Sequence, residues 1–125
     1  MKELVIKKCS HCGAIVKVME DCKCEGCGIQ CCGEEMKIVK ANATDGAVEK
    51  HVPTYEIKGD EIEVVVNHVM EDDHFIEWIS AISDNYEEIK YLKSGMKAKA
   101  TFKYYPGMTL YSYCNKHSLW KKEVE

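Results

Sequence analysis

The sequence predicts an all-β protein in two parts, a small cysteine-rich N-terminal domain followed by an antiparallel sandwich or barrel. Three observations lead there. Seven of the eight cysteines precede Gly33, in a stretch too short to bury a core of its own. Beyond Met36, short runs of alternating or β-branched residues are separated by turn dipeptides. No stretch shows a convincing helical periodicity. The change in composition places the domains at residues 1–37 and 38–125.

The elements follow in chain order. KELVIKK, AIVKVM and MKIVK read as small strands around the cysteine-rich turns. TYEIK (54–58) is the first strand of the larger part. EIEVVVN (61–67) is β-branched and starts after the turn signal Gly59-Asp60. HFIEWISAI (74–82) and YEEIKYL (86–92) lie on either side of Asp84-Asn85. MKAKATFKY (96–104) alternates strictly, with Met96, Ala98, Ala100 and Phe102 on one face and Lys97, Lys99, Thr101 and Lys103 on the other. MTLYSY (108–113) follows Pro106-Gly107 and is the last strand expected. Short strands at this spacing suit an antiparallel sandwich.

Charge and length exclude some functions. The net charge of −4 disfavours nucleic acid as a partner, since phosphate binding needs a basic field. The start MKELVIKKCS has no apolar core of signal-peptide length. No apolar run approaches the ~18–20 residues of a membrane span. A cytoplasmic protein is therefore expected. In a reducing compartment its cysteines read as metal ligands or redox thiols before disulfides.

Cys9-Ser-His-Cys12 is a C-x2-C knuckle, able to place two thiolates on one metal from a tight turn. The second pair comes from Cys22, Cys24, Cys27, Cys31 and Cys32. Cys24 and Cys27 would complete a site like that of a zinc ribbon or rubredoxin. Cys31 and Cys32 are adjacent, and extended neighbours point to opposite faces, so this pair requires a local bend. The bland alternative is a set of free or disulfide-bonded thiols. His11, inside the knuckle, reads as a solvent-facing turn residue.

The remaining soft donors are His51, His68, His74, Cys114 and His117. Each lies at a strand end or turn, and in an antiparallel sandwich such ends can meet at one edge. Zinc is usually satisfied by four ligands. Four imidazoles and one thiolate make five, which suits iron with one position left open.

EKHVP (49–53), NHVMEDDHFIEWI (67–79) and YCNKHSLW (113–120) together resemble the superoxide reductases. The N-terminal C-x2-C with a later Cys-Cys-Gly resembles the desulforedoxin-like domain of desulfoferrodoxins, the two-centre branch of that family. The resemblance implies an immunoglobulin-like β-sandwich carrying a mononuclear iron that cycles between Fe2+ and Fe3+. His51, His68, His74 and His117 match its ligands, with Cys114 axial. Glu49 and Lys50 match the family's active-site glutamate and lysine. Its tetrathiolate pattern maps onto Cys9, Cys12, Cys31 and Cys32, holding a second iron or a zinc, with Cys24 and Cys27 as alternative ligands. Where the family usually has a proline after the second histidine, this chain has Val69.

The activity implied is reduction of superoxide to hydrogen peroxide with electrons from rubredoxin or a similar carrier. A homodimer is also implied. Two other classes compete, an electron-transfer protein without oxygen chemistry and a zinc-ribbon binding module. The first needs no open coordination position and no Lys50. The second leaves the four histidines and Cys114 unexplained.

Overall fold

The computed structural model describes residues 3–44 and 46–125. The chain separates into two compact units, Leu4–Lys40 and a larger one containing Ala41–Glu125.

In the small unit, β1 (Ile6–Lys8) pairs antiparallel with both β2 (Ile15–Lys17) and β5 (Lys37–Ile38). A separate hairpin joins β3 (Gln30–Cys31) to β4 (Glu34–Glu35). Its two-residue loop is Cys32-Gly33, with φ of 53° and 77°. Two successive positive φ values are the signature of a type I′ turn, whose twist matches the flanking strands. Of its apolar side chains only Leu4, Ile6, Cys9 and Met36 are buried among the described residues, so hydrophobic burial supplies little of this unit's stability.

The larger unit is a sandwich of two antiparallel sheets. One has the order β10-β7-β6, from Lys99–Lys103, Glu61–Val65 and Thr54–Lys58. The other has the order β12-β11-β8-β9, from Ser118–Glu123, Thr109–Cys114, Ile76–Ile82 and Glu87–Tyr91. Alternation explains the inward faces. Ile62 and Val64 of β7 and Ala98, Ala100 and Phe102 beside and on β10 meet Ile76, Ile79 and Ala81 of β8 and Leu110 of β11 in one core. Each fully buried aliphatic side chain is worth about 1.5–3 kcal/mol.

The six strands expected between 54 and 113 all form, most of them trimmed at their ends. Met96 departs from its predicted face and is exposed, because pairing of β10 begins only at Lys99. The short strands β3 and β4 of the small unit were not expected, nor were two elements of the larger unit. One is β12. The other is α1 (Val48–His51), a single helical turn whose start has no side-chain cap. Among the described residues no helix is long and apolar enough to cross a membrane.

Candidate metal centres

His51 ends α1, and its backbone carbonyl accepts a hydrogen bond from Ser112 Oγ at 2.7 Å. His68 follows β7 in a tight three-residue turn, its N–H donating to Val66 O at 2.8 Å. His74 sits in an isolated bridge, exchanging backbone hydrogen bonds with Glu71 just before β8. Cys114 is the last residue of β11. There the register against β8 shifts between Tyr113 and Cys114, an irregularity of the kind that re-aims a side chain. His117 lies in the loop between β11 and β12, which Ser118 closes with φ of 68°.

These five side chains converge at one end of the sandwich. Their donor atoms all lie within 4.8 Å of one another. The imidazoles form a closed ring of four: centroids are 4.7 Å apart for His51 and His68, 4.6 Å for His68 and His74, 5.1 Å for His74 and His117, and 4.7 Å for His117 and His51. His117 Nδ1 lies 3.0 Å from His51 Nε2 and 3.3 Å from His74 Nε2. Nitrogens at ~2.1 Å from one metal and at right angles would be ~3.0 Å apart. Cys114 Sγ is 3.5 Å from His68 Nε2 and 3.7 Å from His117 Nδ1. The donor set fits one metal with four nitrogens around it and a sulfur to one side.

The orientation of each ring has a cause. His51 Nδ1 pairs with Ala47 O at 2.8 Å, and His68 Nδ1 pairs with Val69 O. A ring nitrogen facing a carbonyl must carry the proton, which leaves Nε2 as the lone pair turned inward. Burial, foremost, holds His51, His68 and His74 below the ordinary histidine range, and neighbouring imidazoles add to it. Neutral imidazole is the form that binds metal.

The surroundings hold these rings in place. Trp120 stacks on His51 with centroids 4.9 Å apart, and its indole N–H donates to His117 O at 2.8 Å. Thr44 Oγ1 donates to the same carbonyl. Asn115 accepts from Phe75 N–H at 3.0 Å and donates to Asp73 O at 2.9 Å, tying the His117 loop to both sides of His74. Gly46 is pressed against the site, since a Cβ there would come within 3.2 Å of His51 and 3.3 Å of Trp120. Sequence reasoning missed Trp120, Thr44, Asn115 and Gly46. Trp120 follows His117 by three residues in a hairpin, which was the legible hint.

The two sides of the ring of imidazoles differ. Cys114 is fully buried. A pocket of ≈ 350 Å³ is lined by the four histidines but not by Cys114, and Lys50 and Glu71 share its wall. Glu49 does not line this pocket; it borders a neighbouring groove with Pro53 and Tyr55. Lys50 sits on the helical turn α1.

In the small unit, Cys9, Cys12, Cys31 and Cys32 bring their sulfurs within 4.8 Å of one another. Cys12 and Cys31 sulfurs are 3.6 Å apart, and those of Cys31 and Cys32 are 3.9 Å apart. A tetrahedron with metal–sulfur bonds of ~2.3 Å has edges of ~3.8 Å. The left-handed backbone of Cys32 is the bend that lets adjacent cysteines face one point. The Cys12 backbone N–H, first, and then that of His11 lower the Cys9 thiol to about 6. Hydrogen bonding to neighbouring sulfurs, Cys12 first and then Cys9, pushes Cys31 up to about 12. Sulfurs that cannot all ionise together without a cation fit a metal site. His11 is exposed and pairs with Glu34 at 3.1 Å. Cys24 and Cys27 are not part of this cluster; they are joined to each other as a disulfide.

Residues 43–123 match the family model described as Desulfoferrodoxin. The desulfoferrodoxin of Nitratidesulfovibrio vulgaris is 41% identical over 123 residues, covering 95% of each chain. That of Syntrophotalea carbinolica is 39% identical, covering 98% of each. The crystal structure of the superoxide reductase from Treponema pallidum superposes with a TM-score of 0.73 at 24% identity, covering 97% of this chain and 99% of that one. The structural likeness extends over both units, and the sequence match covers nearly the whole length. With a matching family model and relatives at this identity, the chain belongs to the desulfoferrodoxin family.

Proposed function

We propose that this chain is a superoxide reductase, converting superoxide to hydrogen peroxide with electrons from a rubredoxin-like carrier. The observation that carries the reading is the two-sided site: a buried thiol on one side of four imidazoles and an open pocket on the other. An electron-transfer centre needs no such opening. The family and the names of its structural neighbours support the choice of superoxide.

His51, His68, His74, His117 and Cys114 would hold iron there. Iron bound there would supply one-electron redox chemistry toward a small anion. The protein contributes the rest. Burial keeps the imidazoles neutral and available. Backbone carbonyls fix which nitrogen faces inward. Lys50, on the pocket wall, offsets the acidity of the chain and draws the anion toward the open side. Two protons enter through the same mouth, by water beside Lys50, so that one superoxide, one electron and two protons give one hydrogen peroxide. Glu49 is assigned to cover the open side after turnover, which requires its exposed side chain to swing out of the neighbouring groove toward the pocket.

Cys9, Cys12, Cys31 and Cys32 would hold the second iron, or a zinc. Domains divided at residues 37 and 38, a homodimer and a cytoplasmic location complete the proposal. Peroxide yield tests it. The iron-loaded protein, kept reduced by an added donor, should form one peroxide per superoxide consumed. One peroxide for every two superoxides would mean dismutation, and no consumption above the uncatalysed rate would end the proposal.

A further inference from the structure

Three cysteines take no part in either donor cluster: Cys22, Cys24 and Cys27, all exposed on the loop between β2 and β3. Cys24 and Cys27 are joined, with Cα atoms 5.9 Å apart, inside the range that a disulfide bridges without backbone movement. Gly26 makes this possible. Its φ of 71° turns the chain between them, and a Cβ there would meet nothing within 4 Å, so only the backbone conformation asks for glycine. Cys22 is a free thiol beside the pair. Its Sγ donates to Cys27 O at 3.3 Å and contacts Asp21 Oδ1 at 3.5 Å. Asp21 in turn pairs with the buried Lys7 at 2.8 Å, which anchors the loop at its start.

We propose that Cys24 and Cys27 form a reversible dithiol/disulfide site, separate from both metal clusters, that exchanges with dithiol reductants. Exposure of both sulfurs gives a reductant access, and access governs thiol–disulfide exchange. In the reducing direction, one thiolate of the dithiol attacks a sulfur of the pair. The Cys24–Cys27 bond breaks, a mixed disulfide forms, and the displaced cysteine takes up a proton. The second thiol of the reductant then displaces the other cysteine and closes the reductant's own disulfide. Two electrons and two protons pass to the loop. The exchange leaves the Cys9, Cys12, Cys31 and Cys32 sulfurs untouched.

Thiol trapping on the full-length, metal-loaded protein tests this without superoxide, so the result is independent of the function proposed above. The protein is equilibrated in buffers of graded reduced and oxidised dithiothreitol, alkylated with iodoacetamide under denaturing conditions, and digested with trypsin. Cleavage after Lys23 separates Cys22, on residues 18–23, from residues 24–37. The second peptide, which also carries Cys31 and Cys32, should shift between a form alkylated at those two alone, with Cys24 and Cys27 joined, and a form alkylated at all four, in one two-electron transition. Cys22 should alkylate at every ratio. Cys24→Ser and Cys27→Ser should each abolish the transition and leave the N-terminal metal content unchanged. The proposal is overturned if the transition survives in either variant, or if Cys24 and Cys27 alkylate fully in the most oxidising buffer. It is equally overturned if Cys22 joins the disulfide, if either serine variant loses the N-terminal metal, or if the loop binds a metal ion of its own.

Discussion

Replacing Lys50 with alanine separates attraction from chemistry. Lys50 is exposed and lines the pocket above the four imidazoles. Two unit charges ~5 Å apart interact by about 0.8 kcal/mol in bulk water and about 3 kcal/mol at an effective dielectric of 20. A group at the rim of an open pocket lies between these limits, and about 1.4 kcal/mol corresponds to a tenfold change. Glu71 shares the pocket wall, so removing Lys50 also leaves a carboxylate unopposed there. We therefore expect Lys50→Ala to slow the second-order reaction with superoxide by about tenfold. Metal content and visible spectrum should be unchanged, because Lys50 is not among the converging donors. Pulse radiolysis across a salt series is the assay. The parent rate should fall as the screening length shrinks from ~10 Å at 0.1 M to ~3 Å at 1 M, and the alanine variant should lose that fall. Lys50→Arg should recover most of the rate, since it keeps the charge. An alanine variant as fast as the parent at low salt, with intact metal, would refute the assignment.

Three further outcomes are expected. Cys114→Ser exchanges a soft thiolate for a harder, weaker donor; the sulfur-to-iron absorption band and most activity should vanish while the four histidines still retain iron, as read by metal analysis and visible spectroscopy. Cys32→Ser should keep the Cys32-Gly33 turn but remove one of the four converging sulfurs, so the tetrathiolate spectrum should be lost, whereas Cys24→Ser should preserve it. Tyr86 is pushed up to about 12, by burial first and then by its hydrogen bond to Glu88. Its raised value favours the folded state fully below the unfolded tyrosine value of ~10, and that contribution disappears as pH rises through the folded value. Urea midpoints should therefore fall more steeply above pH ~10 for the parent than for Tyr86→Phe.

The strands of the sandwich were legible because burial on one face writes itself into alternation. Ile62 and Val64, or Ala100 and Phe102, show it directly. β12 was not legible, since Leu119 and Trp120 are consecutive and both buried, which breaks the period of two. α1 is a single turn without a side-chain cap, so nothing local announces it. Contacts made by its last residue hold it: His51 accepts from Ser112 and stacks on Trp120. The metal donors could be chosen by residue type and by position at strand ends. Their arrangement could not, because the ring order of the imidazoles and the opposite placement of Cys114 depend on how the two sheets pack. Cys31 and Cys32 posed a local question, whether neighbours can face one point, and a positive φ at Cys32 answers it.

The two donor clusters stand in opposite relations to the fold that carries them. Cys9, Cys12, Cys31 and Cys32 come from two tight turns within one short stretch, and the unit around them buries few apolar side chains. Four thiolates close a tetrahedron, so a metal there has no position left for substrate, and its binding free energy is largely folding free energy. The other five donors are spread from His51 to His117. They are assembled by a sandwich with an apolar core of its own, in which Ile62, Ile76, Ile79, Met108 and Leu110 are buried. A scaffold stable for its own reasons can leave one side of a metal open, because the metal is not needed to hold the donors together. Loss of metal should therefore loosen the small unit and leave the sandwich folded. The open pocket above the histidines belongs to the part of the chain that can bear an unsatisfied metal, and reactivity is assigned to that part.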